Sequence, residues 1–170
     1  WEDSMELHYS MAPQGSASRP TLDQQKRLRR DAEAAFAALR TDLEEAKPDV
    51  LIVVANDQFV NFFWNNIPTF FVTLADEVRG HFTRHKFRYR NHKELGQAIV
   101  AAGMEKGIDF SFGEHVELQH TQNVPLYFLL PEPRIPILPI YVNTWVDPAP
   151  TPKRCYQVGQ LIREVAAKSG

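Results

Sequence analysis

The stretch Val50-Leu-Ile-Val-Val-Ala55 constrains this chain most. It is short, continuous and rich in β-branched residues, and it lies between Asp49 and Asn56-Asp57-Gln58. A run without polar alternation predicts a strand buried on both faces, as in a parallel-type sheet covered by helices. Upstream, Thr21 and Gln24 have capping-box spacing. Leu28, Ala32, Ala35, Phe36, Leu39, Leu43 and Ala46 then recur at steps of three and four, which predicts a helix that Pro48 stops near Lys47.

Downstream, residues 69–73 and 135–143 read as further strands, with Pro139 at a position where no ladder donor is needed. Residues 108–112 alternate like a half-buried strand. Asn91 and Glu94 predict a second capping box. It opens a helix with Leu95, Ala98, Ile99 and Ala102 buried and Gly103 and Gly107 as stop signals. Residues 124–130 lean to a helix with Pro125 at its first position. Thr151 and Pro152 open a last helix whose apolar face is Cys155, Val158, Leu161, Ile162, Val165 and Ala166. Gly159 on that helix suggests close approach to a neighbouring backbone. Residues 74–90 carry seven scattered charges from Asp76 to Arg90 and read as mostly solvated. Strand and helix patterns alternate, so the fold class is α/β: a central, mostly parallel or mixed sheet flanked by helices in a single domain. The domain is expected over residues 21–170, after an N-terminal arm at residues 1–20.

Charge narrows the partners. Lys and Arg total 19 against 21 Asp and Glu, a net charge of −2. That balance excludes bulk attraction to nucleic acid or to an acidic membrane surface. No apolar run approaches the roughly 20 residues of a membrane span, and no signal peptide is visible, so a cytoplasmic location is expected. The single Cys155 excludes an intrachain disulfide framework and a Cys-rich zinc site. A first residue of Trp instead of Met raises the expectation of a piece of a longer protein.

In open α/β sheets ligands gather at the carboxyl ends of strands. Two such ends are polar here, Asn56-Asp57-Gln58 and Val142-Asn143-Thr144, which makes Asn56, Asp57 and Asn143 candidate substrate-contacting or supporting residues. No Gly-rich phosphate loop, nucleophile elbow or H-E-x-x-H helix occurs. His81 and His85 have a helix-face metal spacing, but Arg79, Arg84 and Lys86 favour a solvated surface instead. His8, His92 and His115 carry no pattern. Cys155 on an apolar helix face reads as a small core residue. His120, in a polar loop just before an apolar segment, is the best acid–base candidate, because an imidazole exchanges protons near neutral pH. The competing reading is a hydrogen-bonded loop histidine. Phe59, Phe62, Phe63 and Trp64 read as core or as a subunit interface.

Several segments together resemble a known family. Residues 48–63, continued by Asn66-Ile-Pro-Thr-Phe70, are similar to a segment of the class III extradiol ring-cleavage dioxygenases of the protocatechuate 4,5-dioxygenase β-subunit type. His120-Thr-Gln-Asn-Val-Pro-Leu126 resembles the family's His-Gly-x-x-Val-Pro-Leu. Pro136-Ile-Leu-Pro-Ile-Tyr-Val-Asn143, Pro148, Pro150, Arg154-Cys155 and Gly159 resemble its next stretch. The resemblance implies a non-haem Fe(II) site of two histidines and one carboxylate, open to a catecholate and dioxygen. It also implies that His120 is the second-sphere acid and base. Gln58 stands where the family has a ligand histidine, and Thr121 where it has glycine. No metal ligand is assigned. The family's first ligand histidine is expected ahead of Trp1 and its glutamate ligand beyond Gly170.

The expected function is extradiol opening of a catechol-type, protocatechuate- or gallate-like substrate with O2 in aromatic catabolism, in a homo- or hetero-oligomer. The alternatives are a non-catalytic scaffold subunit of such an enzyme and a small-molecule binding module without iron.

Overall fold

A computed structural model of the chain describes residues 20–169. The expected arm therefore lies, but for Pro20, outside the described residues, as does His8. The chain divides into two compact units, Trp1–Leu39 and Arg40–Gly170. Helix α1, Leu22–Ala46, begins in the first and ends in the second. Its start is the predicted one: the Thr21 backbone N–H donates to Gln24 Oε1 at 2.8 Å and the Gln24 N–H to Thr21 Oγ1 at 3.3 Å.

The second unit carries the strands: β1 Leu51–Ala55, β2 Phe70–Thr73, β3 Glu77–Phe82, β4 His85–Arg90, β5 Ser111–Gly113, β6 Glu117–Leu118 and β7 Ile137–Val142. It also carries helices α2 Lys93–Glu105, α3 His120–Leu129 and α4 Pro152–Ala166. One sheet has the order β1-β7-β2-β5 and is mixed. β1 runs parallel to β7, β7 antiparallel to β2, and β2 parallel to β5. A second sheet has the order β4-β3-β6. The α/β reading of a mixed sheet flanked by helices holds.

Side-chain alternation sorts the sheet residues into two cores. Phe70, Val72, Leu138 and Ile140 meet Leu95 and Ile99 of α2 and Val158 and Leu161 of α4. Ile137, with Leu51 and Val53 beside it, meets Val78, Phe87 and Tyr89 of the hairpin and Leu126 of α3. A Cβ on Gly103 would stand 2.7 Å from the Ile108 carbonyl and the Phe110 ring, so a glycine is needed where α2 meets the chain leaving it.

Several expectations are corrected. β1 is only partly buried on its two faces: among the described residues it is an edge strand, and Val54 is 56% exposed. Its apolar continuity arises because Ile52 serves the first core and Leu51 and Val53 the second. Residues 74–90 are not a solvated stretch but a hairpin, β3 paired antiparallel with β4. Val78, Phe87 and Tyr89 point inward, while the arginines occupy alternate outward positions that mask the strand signal. His81 and His85 therefore sit on opposite strands, not on a helix face. The N-cap of α2 is His92, whose Nδ1 accepts from the Leu95 N–H at 3.3 Å, and not Asn91. Asn91 is buried and donates to the Thr73 and Ala75 carbonyls at 3.1 and 2.7 Å. Pro125 lies inside α3, which starts earlier because Gln119 and Gln122 form a capping box. Gly159 has open space around it. Thr151 caps α4 as expected, and Cys155 is half-buried against the first core.

Candidate functional site

The carboxyl ends of β1 and β7 lie side by side because the two strands are parallel neighbours. The Asn56 Nδ2 donates to Thr144 Oγ1 at 3.0 Å and ties the two exits together. After Asn56 the chain turns sharply, and Asp57 organises the turn. Its carboxylate accepts from the Val60, Asn61 and Phe62 backbone N–H groups at 3.0–3.1 Å and from Asn61 Nδ2 at 2.9 Å. Phe59 within this turn has φ +58°, a left-handed conformation uncommon for a bulky residue. Gln58 beside it is half-buried.

The N-terminus of α3 hangs from the same β1 exit. The Asn56 carbonyl accepts from Thr121 Oγ1 at 3.0 Å and also from Gln119 Nε2. His120 sits between these two anchors as the exposed first residue of α3. The structure thus brings Asn56, Asp57, Gln58 and His120 to one rim. Asn143 stands at the β7 exit, where its Oδ1 accepts from the Trp145 and Val146 N–H groups at 3.2 and 3.0 Å. Both Asp57 and Asn143 are therefore engaged in shaping their own turns.

Three further residues hold the rim and escaped sequence reading. Asn61 bonds the backbone of Glu117 in both directions, accepting its N–H at 2.7 Å and donating to its carbonyl at 2.9 Å. Tyr141 from β7 donates to the same carbonyl at 3.1 Å. Burial, and then the charge of Asp57, hold the Tyr141 phenol above the ordinary tyrosine range. Gln119 is the third. The Asp57–Asn61 spacing was the one local signal, since an aspartate commonly bonds the backbone just ahead of it. At the rim, Asp57, Tyr141 and Asn143 join Phe59, Phe62, Ile67, Pro68 and Trp145 in lining a narrow cleft of about 20 Å³, room for roughly one water.

A facial iron site needs two imidazoles and a carboxylate converging on one point. Among the described residues no group of three or more His, Cys, Asp or Glu is placed to hold a metal. Gln58 offers a neutral amide, and the Asp57 oxygens are already occupied by four donor groups. The described donor set does not fit Fe(II). Nor, among the described residues, is any helix long and apolar enough to cross a membrane.

Comparison with known proteins adds to this geometry. Residues 15–169 match the family model described as the catalytic LigB subunit of aromatic ring-opening dioxygenase. A Pseudomonas putida protein named 2,3-dihydroxyphenylpropionate/2,3-dihydroxicinnamic acid 1,2-dioxygenase 2 is 28% identical over 126 residues, covering 74% of this chain and 40% of the relative. Proteins named 2,3-dihydroxyphenylpropionate/2,3-dihydroxicinnamic acid 1,2-dioxygenase from Photorhabdus laumondii and Klebsiella pneumoniae are 24% and 27% identical over 128 residues. Each match covers 75% of this chain and 40% or 41% of the relative. The chain spans about two fifths of the length of these curated relatives.

Proposed function

Because the chain belongs to the family of the catalytic LigB subunit of aromatic ring-opening dioxygenases, we propose that it takes part in extradiol opening of a catechol that bears a carboxylate. Protocatechuate- and gallate-like substrates and the substrate named for the relatives share that chemistry. In the reaction a ring carbon–carbon bond beside the diol breaks, and dioxygen supplies both inserted oxygen atoms. The observation that carries this reading is the family match together with His120 exposed at the strand-exit rim, between two residues anchored on the Asn56 carbonyl. His120 takes a proton from a substrate hydroxyl and later returns it to the oxygenated ring. Asn56 sets the position of α3, while Asp57 and Asn143 give the turns their shape. No step is derived through Fe(II), because the described donors do not fit it. Residues 21–170 constitute the dioxygenase-like domain in this reading, working in an oligomer in the cytoplasm.

The test starts from protein purified without oxygen and loaded with Fe(II). It is then mixed with 2,3-dihydroxyphenylpropionate, protocatechuate, gallate or catechol and exposed to O2. A yellow ring-opened product, lost in a folded His120→Ala variant, supports the reading. Absence of product for every substrate, from the chain alone and with a co-expressed homologous subunit, overturns it.

Gln58 favours a second reading, a scaffold subunit that supports an active partner. There, product forms only when a homologous subunit is co-expressed, and Gln58→His raises Fe(II) affinity.

A further inference from the structure

We propose that Asn61 is a positioning residue that sets where His120 stands relative to the β1 exit, by clamping the backbone of Glu117. This rests on the reading of His120 as the acid–base group.

An asparagine that only completed a turn would bond within its own segment. Asn61 does part of that, through its N–H and Nδ2 on Asp57. The same amide also reaches a strand 56 residues further along the chain, where it bonds the Glu117 N–H and carbonyl together. It therefore pairs with Glu117 as a strand neighbour would, in a place where the 57–62 turn has no strand to offer.

The consequence lies three residues on, at His120. β6 is only Glu117–Leu118, and Gln119 and His120 follow at once. The segment is stitched to the β1 exit on both sides of Gln58: at Asn56 through Gln119 and Thr121, and at Asn61 through Glu117. Tyr141 adds a bond from β7 to Glu117, and Asn123 Nδ2 donates to the Leu118 carbonyl at 2.7 Å. These two bonds and the β3–β6 ladder tie the segment to other elements, while among the described residues Asn61 is what joins it directly to the turn that carries Gln58. Losing Asn61 frees one of the two stitches, so the distance between Gln58 and His120 loosens while both cores stay intact. Misplacing an acid–base group by about 1 Å can lower turnover by up to ~10²-fold.

The experiment compares Asn61→Ala, Asn61→Asp and the distant core variant Val158→Ala with the wild type. Asn61→Asp retains an acceptor for the Glu117 N–H. Three readouts are taken: hydrogen exchange at the Glu117 amide, the NMR ring signals of His120, and kcat and KM with a carboxylated catechol. In Asn61→Ala, Glu117 exchange rises at least about tenfold and the His120 signals move. In Asn61→Asp the acceptor for the Glu117 N–H remains, but the donor to the Glu117 carbonyl is lost and a second carboxylate is set against Asp57, so the His120 signals move there too. Val158→Ala lowers thermal stability without moving either. Unchanged Glu117 exchange in Asn61→Ala, or equal displacement of His120 by Val158→Ala, overturns the proposal. Where the wild type turns over, Asn61→Ala lowers kcat about 10- to 100-fold with KM within about threefold. A raised KM at constant kcat overturns it in favour of direct substrate contact. A wild type without turnover removes the ring-opening reading, and exchange and ring signals still decide the clamp.

Discussion

Tyr89 makes the protein's alkaline stability predictable. The side chain is fully buried in the second core, and its hydroxyl donates to the Leu130 carbonyl at the end of α3 at 2.5 Å. Burial pushes its phenol up from 10.0 to about 12. Below pH 10 both the folded and the unfolded chain hold this proton, and the contribution to stability is complete. Between pH 10 and about 12 the unfolded chain releases it and the folded chain does not. Unfolding then becomes easier by about 1.4 kcal/mol per pH unit, or about 3 kcal/mol across the window. Tyr141 acts with the same sign, because its pKa is also raised. Lys93 does too, but its exposed ion pairs carry little weight. Tyr89→Phe removes one of these proton linkages. It also leaves the Leu130 carbonyl without its donor, at a cost of about 1–3 kcal/mol at neutral pH. Urea unfolding at intervals from pH 8 to about 11.5 reads both effects. The variant starts lower than the wild type and declines less steeply, so the two curves converge as pH rises. Parallel curves would refute the reasoning, since they would mean that the folded state ionises Tyr89 as readily as the unfolded chain.

Other substitutions test the packing. Gly103→Ala places a Cβ 2.7 Å from the Ile108 carbonyl and the Phe110 ring, and is expected to cost about 1–3 kcal/mol in urea unfolding. Asn91→Ala removes two donors from the buried Thr73 and Ala75 carbonyls and is expected to cost at least about 1–3 kcal/mol, with faster exchange at the start of α2. Glu77→Gln breaks the exposed pair with Arg88 and should change unfolding by less than about 1 kcal/mol in moderate salt.

The α/β class was legible because β2 and β7 are continuous apolar runs, α2 and α4 show an apolar period, and Thr151 caps α4. The hairpin β3–β4 was hidden because its outward positions hold charges, so only Val78, Phe87 and Tyr89 carried the inward signal. α3 was shifted because Pro125 is a familiar opener, whereas the Gln119–Gln122 capping box lay in a segment read as loop. At the rim, residue types and strand ends pointed to Asn56, Asp57 and His120. Asn61, Gln119 and Tyr141 were missed because their partners lie far away in the chain. The Asn61–Glu117 and Tyr141–Glu117 bonds span 56 and 24 residues, distances at which a local pattern carries no information.

The edge position of β1 bears on how this chain behaves while it is only partly folded. The Leu51 N–H bonds the Pro136 carbonyl at 3.0 Å, so in a parallel ladder the backbone groups of Ile52 and Val54 face away from β7. Among the described residues that leaves five aliphatic residues, without a charge or a proline among them, as a template for another extended chain. The gatekeepers stand only at the ends, Pro48 and Asp49 before the strand and Asp57 after it. Refolding yield is therefore expected to fall as protein concentration rises. A lysine at the exposed position 54 should restore it by making edge-to-edge stacking repulsive, with little loss of native stability.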